Sequence, residues 1–189
     1  MMVVSKMRLR GDSLARAWLV GAGLATTLAA VLFPASRILA DSPAPTAVVV
    51  VKAEDVTAKV ALSDARSSAG GQLGVTIAFE VAPGWHIYGE PMPSEFTTTK
   101  IKFDDQLVSA QSLKMPEPTP VKFEALGETY PVYHGKFNAT GTLGLKPTLA
   151  PGDYKLAGTL EFQECNDTMC KLPQSAHFEL PLTIAASKS

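Results

Sequence analysis

The sequence predicts an all-β protein, an immunoglobulin-like antiparallel β-sandwich preceded by a signal peptide, and three observations carry that prediction. Period-two alternation is the dominant pattern, turn signals separate the alternating runs, and no amphipathic helical run of useful length follows the first 40 residues. In "GVTIAFEV", Val75, Ile77, Phe79 and Val81 share one face while Thr76, Ala78 and Glu80 share the other. In "FELPLTI", Phe178, Leu180, Leu182 and Ile184 repeat the pattern. Weaker alternation marks "AKVALS" (58–63), "TKIKF" (99–103), "VYHGKFNATGTLGL" (132–145) and "YKLAGTLEFQEC" (154–165). Between them stand "SSAGG", "APGW", "KMPEPTP" and "LAPGD", each rich in turn formers. About eight short strands at this spacing read as a sandwich.

The amino terminus has a different character. Lys6, Arg8, Arg10 and Arg16 precede the uncharged run from Ala17 to Phe33, the pattern of a secretory signal, with a small-residue cleavage position after Ala40. Residues 1–40 are therefore read as a signal peptide, or as a membrane anchor if uncleaved. The Pro-rich stretch that follows makes 41–54 a linker or flexible start, and 55–186 the folded domain. Without the leader, 12 Lys plus Arg stand against 17 Asp plus Glu, a formal charge near −5. A mildly acidic surface argues against nucleic acid and anionic lipid as partners.

One connection is unusually long. "MPEPTPVKFEALGETY", from Met115 to Tyr130, has three prolines and little strand character, and a loop of that length in a compact domain tends to be functional or disordered.

Only two cysteines occur, Cys165 and Cys170, in "ECNDTMCKLP" with four residues between them. Export permits them to form a disulfide. The intervening "NDTM" suits a hairpin turn, which would bring the two within disulfide range. As a staple the bond is poorly placed, because a loop of about six residues gains on the order of 2 kcal/mol against nearly 5 for a loop of about 100. As a reversible two-electron store at an accessible turn it is well placed. Glu164 and Asp167 disfavour a thiolate and Lys171 favours one, so no definite thiol pKa follows.

Residue chemistry alone leaves three readings open: an inert structural disulfide, a redox pair, and a metal site. The last would join the cysteines to His177 and His134 for zinc, or draw on Met92, Met115 and Met169 for copper. A Cys-His protease lacks an identifiable oriented base.

"VAPGWHIYGEPMP" (81–93), "KMPEPTPVKFEALGETYPVYHGKF" (114–137) and "LEFQECNDTMCKLP" (160–173) together resemble the amino-terminal domain of the DsbD family of thiol-disulfide interchange proteins, over roughly residues 55–185. The resemblance implies a periplasmic immunoglobulin-like domain that passes reducing equivalents between thioredoxin-like partners, needs no cofactor, and acts as an exchange carrier or protein-disulfide reductase. It implies that Cys165 and Cys170 are the redox pair and that Cys170 forms mixed disulfides with partners. Tyr88 matches an aromatic residue beside the pair. Phe123, in the long connection, becomes the candidate for the residue that caps the disulfide in this family, with Tyr130 and Tyr133 nearby; a satellite core role is the alternative for Phe123. His86 stands where relatives carry an aromatic, which implies a more pH-sensitive exchange. Because no multi-span membrane domain or Cys-x-x-Cys domain is present in these residues, donor and acceptor, including a membrane electron conduit, are expected as separate chains. The competing function is a secreted interaction module whose disulfide only pins a hairpin.

Overall fold

The strongest alternation in the sequence becomes the spine of the first sheet. In the computed structural model, which describes residues 46–124 and 127–186, strand β4 (Gln72–Val81) buries Leu73, Val75, Ile77, Phe79 and Val81 and turns the residues between them outward. It is flanked by β2 (Val56–Leu62) and β10 (Lys136–Leu145), with β1 (Val48–Lys52) and β7 (Val108–Lys114) at the edges. The second sheet orders β3 (Arg66–Ser68), β13 (Gln174–Ala185), β11 (Gly152–Phe162) and β6 (Lys100–Phe103). Its inward residues, among them Leu156, Leu160, Leu180, Leu182 and Ile184, join those of β2, β4 and β10 in one apolar core. This is the expected β-sandwich, with one departure: β3 runs parallel to β13.

A third, smaller sheet carries β12 (Glu164–Cys165), β5 (His86–Tyr88), β9 (Glu128–Tyr133) and β8 (Thr119–Phe123). It has its own apolar cluster of Tyr88, Val132 and Cys165, packed by Met92, Phe96, Val121, Phe123 and Tyr130. Both cysteines and four of the aromatic residues nearest them thus lie off the main core.

Several expected boundaries move. The stretch 41–54, expected as a linker or flexible start, contains β1, which pairs with β2 from Val48 opposite Ala61 to Lys52 opposite Thr57. Its four valines hide the strand because only Val51 is buried, as on an edge strand, and no alternation results. The expected signal segment, 1–40, lies outside the described residues, and no described helix is long and apolar enough to cross a membrane. The single run expected at 132–145 is broken at Gly135, whose φ of 62° turns the chain from β9 in the third sheet into β10 in the first.

The connection 115–130, expected to lack strand character, is largely a hairpin of β8 and β9, paired from Thr119 opposite Val132 to Phe123 opposite Glu128. The prolines that concealed it are accommodated by its register. Pro120 faces Pro131, and a pair with no N–H on either side fits a non-hydrogen-bonded position of the ladder. Pro131 instead uses its carbonyl on the opposite side, accepting from Gly89 N at 2.8 Å.

The close approach of β10 to β7 gives a test of this packing. A Cβ on Gly141 would lie 2.1 Å from the Ser112 carbonyl oxygen. Alanine normally suits a strand interior better than glycine, yet Gly141→Ala is expected to lower the unfolding free energy by about 1–3 kcal/mol in a denaturant titration, because β7 must shift to admit it.

Candidate functional site

The site begins where β11 runs out of its sheet. After Gln163 the chain joins the third sheet as β12, with Glu164 opposite Ile87 and Cys165 opposite His86. It then turns at once. Asn166 N donates to Met169 O at 2.9 Å, and Asn166 Oδ1 accepts from the N–H groups of Thr168 and Met169, both at 2.9 Å, and from the Thr168 hydroxyl at 3.0 Å. An Asn that collects three donors in this way builds a turn from its own side chain. Cys170 returns opposite Cys165, the two Cα atoms 4.1 Å apart and the sulfurs bonded.

The two sulfur-bearing residues have different surroundings. Cys165 is fully buried in the small apolar cluster, whereas Cys170 is exposed. Cys170 opens into a cleft of about 520 Å³ whose walls include Tyr88, Phe96, Phe123, Asp167 and Met169. Tyr88 is buried, and its phenol oxygen lies 3.7 Å from Cys170 Sγ. A disulfide sulfur has no proton to give, so the phenol is the donor. Burial, aided by the neighbouring Tyr130, raises the Tyr88 pKa and keeps that proton in place.

An aromatic cluster surrounds the bond. His86 packs at 5.3 Å from Tyr88 and 5.1 Å from Phe123; Tyr130 packs at 5.7 Å from Phe123 and 5.4 Å from Phe96, between ring centres. The structure therefore brings together Cys165, Cys170, Tyr88, His86, Phe123 and Tyr130, all six residues singled out in the sequence. Tyr133 instead faces the main core, where its hydroxyl donates to Pro116 O at 3.0 Å. Phe96, unremarked in the sequence, completes the wall; a lone aromatic in the irregular stretch between β5 and β6 has no periodic signal.

The residues weighed for a metal do not converge. His177 lies on β13 with its Nδ1 3.0 Å from the Thr159 hydroxyl, and His134 is exposed after β9. Met92 packs in the small cluster, Met115 against the main core, and Met169 is exposed in the turn. Among the described residues no three His, Cys, Asp or Glu are grouped to hold a metal ion.

Of the charges beside the cysteines, a mixed set in the sequence, Glu164 and Lys171 engage one another. Glu164 is fully buried; its Oε1 accepts from Asp55 N at 3.1 Å and its Oε2 from Gln174 Nε2 at 3.1 Å. The Lys171 ammonium reaches the same Oε2 at 3.1 Å, Glu54 at 2.9 Å and Asp55, and lies 4.3 Å from the Trp85 ring centre. Burial opposes the charge on Lys171, but its hydrogen bonds to Asp55, Glu54 and Glu164 outweigh that and raise its pKa above the ordinary lysine range.

His86 is the unsatisfied member of the site. It is 7 % exposed, and its Nε2 is buried without a hydrogen-bond partner. Burial holds its pKa below 6.5, opposed by the negative charge of Asp167 and assisted by His134. The sign follows: below pH 6.5 the unfolded chain binds a proton that the native chain refuses, so stability falls as pH drops through that range. His86→Phe keeps the aromatic packing and removes the orphaned nitrogen. It is expected to stabilise the fold by about 1–3 kcal/mol, with the gain over the parent growing between about pH 7.5 and pH 5 in paired urea titrations. A variant of equal or lower stability at both pH values would contradict this account.

Comparisons with known proteins identify the family. Residues 47–182 match the family described as the N-terminal region of the thiol:disulfide interchange protein DsbD. The N-terminal periplasmic domain of ScsB from Proteus mirabilis shares the fold, with a TM-score of 0.52, 17 % identity, and coverage of 71 % of this chain and 50 % of that one. The chain thus spans about half the length of that structure. The N-terminal domain of DsbD from Neisseria meningitidis, in its reduced form, aligns over 73 % of this chain and 86 % of its own at 18 % identity and a TM-score of 0.37. No curated protein matches the sequence. With a family match over most of its length and a close cysteine pair at one end of a β-sandwich, this chain belongs to the family of DsbD amino-terminal domains.

Proposed function

We propose that this protein is a periplasmic carrier of reducing equivalents between thioredoxin-like partners, supplied ultimately by a membrane electron conduit. The observation that carries this reading is the asymmetry of the disulfide: Cys165 is fully buried while Cys170 is exposed in a cleft walled partly by aromatic side chains. A macromolecular thiolate can approach only the exposed sulfur.

The exchange then proceeds in balanced steps. A donor thiolate attacks Cys170 Sγ, forms the intermolecular S–S bond and expels Cys165 as a thiolate, which takes up a proton. The donor's second thiolate attacks its own sulfur in that mixed disulfide, closing the donor's disulfide and releasing Cys170 as a thiolate, which takes up a proton in turn. Two electrons and two protons now reside on the pair. Toward an acceptor the order reverses: Cys170 attacks and Cys165 resolves. Tyr88, donating toward Cys170 Sγ, favours the charged sulfur each time Cys170 is the leaving or attacking group. Phe123, which lines the cleft and is held from behind by Tyr130 and His86, acts as its cover.

The direct test is trapping. Cys165→Ser is expected to accumulate mixed disulfides through Cys170 with thioredoxin-like proteins, whereas Cys170→Ser accumulates none. The reduction potential is expected above about −300 mV, the region where inert structural bonds begin. A lower potential together with failure to trap would leave only a hairpin staple. Phe123→Ala removes the aromatic contacts with His86 and Tyr130, together about 1–2 kcal/mol, so reduction of the disulfide by glutathione is expected to quicken by about five- to thirtyfold.

A further inference from the structure

The residues next to the two cysteines form a second, non-covalent connection across the same turn. Glu164 immediately precedes Cys165 and Lys171 immediately follows Cys170. Lys171 N donates to Glu164 O at 2.8 Å, and their side chains meet at 3.1 Å. Glu164 is fully buried and the Lys171 side chain 16 % exposed, so this ion pair is shielded from water and salt far more than a surface pair. It is also anchored from outside the hairpin. Asp55 N and the Asp55 carboxylate, on the connection between β1 and β2, bind Glu164 and Lys171 respectively. Gln163 Nε2 donates to Lys171 O at 3.0 Å, and Gln163 Oε1 accepts from Thr97 N at 3.1 Å. None of these contacts passes through a sulfur.

We propose that the Glu164–Lys171 pair, docked on Asp55, is a positioning clamp that keeps Cys165 and Cys170 in register when the bond between them is open. The inference rests on the carrier reading for its purpose, since only a pair that opens in use needs holding. Its consequence is chemical. Thiols held together present a high effective concentration to one another. A mixed disulfide at Cys170 is then resolved rapidly by Cys165, and the dithiol closes at a more negative potential than a free hairpin would. Lys171 and Glu164 touch neither sulfur's partner in the reaction; they act through backbone placement.

Two variants with opposite charge changes separate the clamp from simple electrostatics. Lys171→Met removes a cation and Glu164→Gln removes an anion. If these groups acted on the thiolates by charge alone, the reduction potentials would move in opposite directions. The clamp requires both to move the same way: equilibrium against glutathione is expected to show at least a tenfold lower effective concentration in each, an upward shift of about 30 mV. Opposite shifts, or none, would overturn the proposal. Should either variant fold poorly, amide exchange in the reduced parent chain decides instead: the N–H groups of Lys171 and Asn166 are expected to stay protected in the dithiol form, and free exchange of both would overturn the clamp. All three measurements use this chain and glutathione alone. Loss of the carrier reading would instead appear as failure of Cys165→Ser to trap partners, with these readouts unaffected.

Discussion

A buried carboxylate needs a reason to be tolerated, and in this molecule the answer organises the whole site. Glu164 sits with no solvent exposure one residue ahead of a cysteine that has none either. Stripping water from an ionised carboxylate costs several kcal/mol unless its oxygens are answered. Here a backbone N–H, a Gln amide and a lysine ammonium answer them. Those partners come from β13, from the connection between β1 and β2, and from the residue after Cys170. Satisfying one charge therefore obliges the distant connection at Asp55 to meet the two sides of the cysteine turn.

The same obligation explains why the third sheet can be small. Two-residue β12 and three-residue β5 are too short to hold a hairpin by themselves. The ionic contacts below and the aromatic cluster above supply what ladder hydrogen bonds do not. The division leaves one sulfur-bearing residue in an apolar interior and the other facing outward, so the unequal exposure of the two cysteines comes from architecture. His86 fits this picture as a ring used mainly for its faces, its Nε2 left without a partner.

What was readable in the sequence followed from short-range pattern. β4 and β13 announced themselves because one face of each meets a core, and the cysteine turn because Asn, Asp and Thr between two cysteines have few alternatives. β1 was silent because an edge strand of valines buries only one of them, and β8 because prolines mask a strand whose register happens to suit them. The roles of Tyr88, Phe123, Tyr130 and His86 were suggested by family resemblance, and the fold does gather them. The partners of Glu164 and Lys171 were beyond reach: Asp55 lies 109 residues from one and 116 from the other, and nothing local marks it. Local charge counting saw a mixture near the sulfurs where the fold gathers three carboxylates around one ammonium.

The facing prolines of the β8–β9 hairpin carry one more implication. If Pro120 and Pro131 occupy a non-hydrogen-bonded site, then Pro120 turns its nitrogen toward the open rim of the sheet, and that nitrogen has no hydrogen. Lys122, two residues on, turns the same way and carries a charge. The border beside the cleft is thus a poor template for strand addition. A visiting protein gains little by aligning its backbone there, and neither do stray copies of the same chain, so strand-to-strand adhesion is discouraged along one wall of the cleft that also holds Cys170.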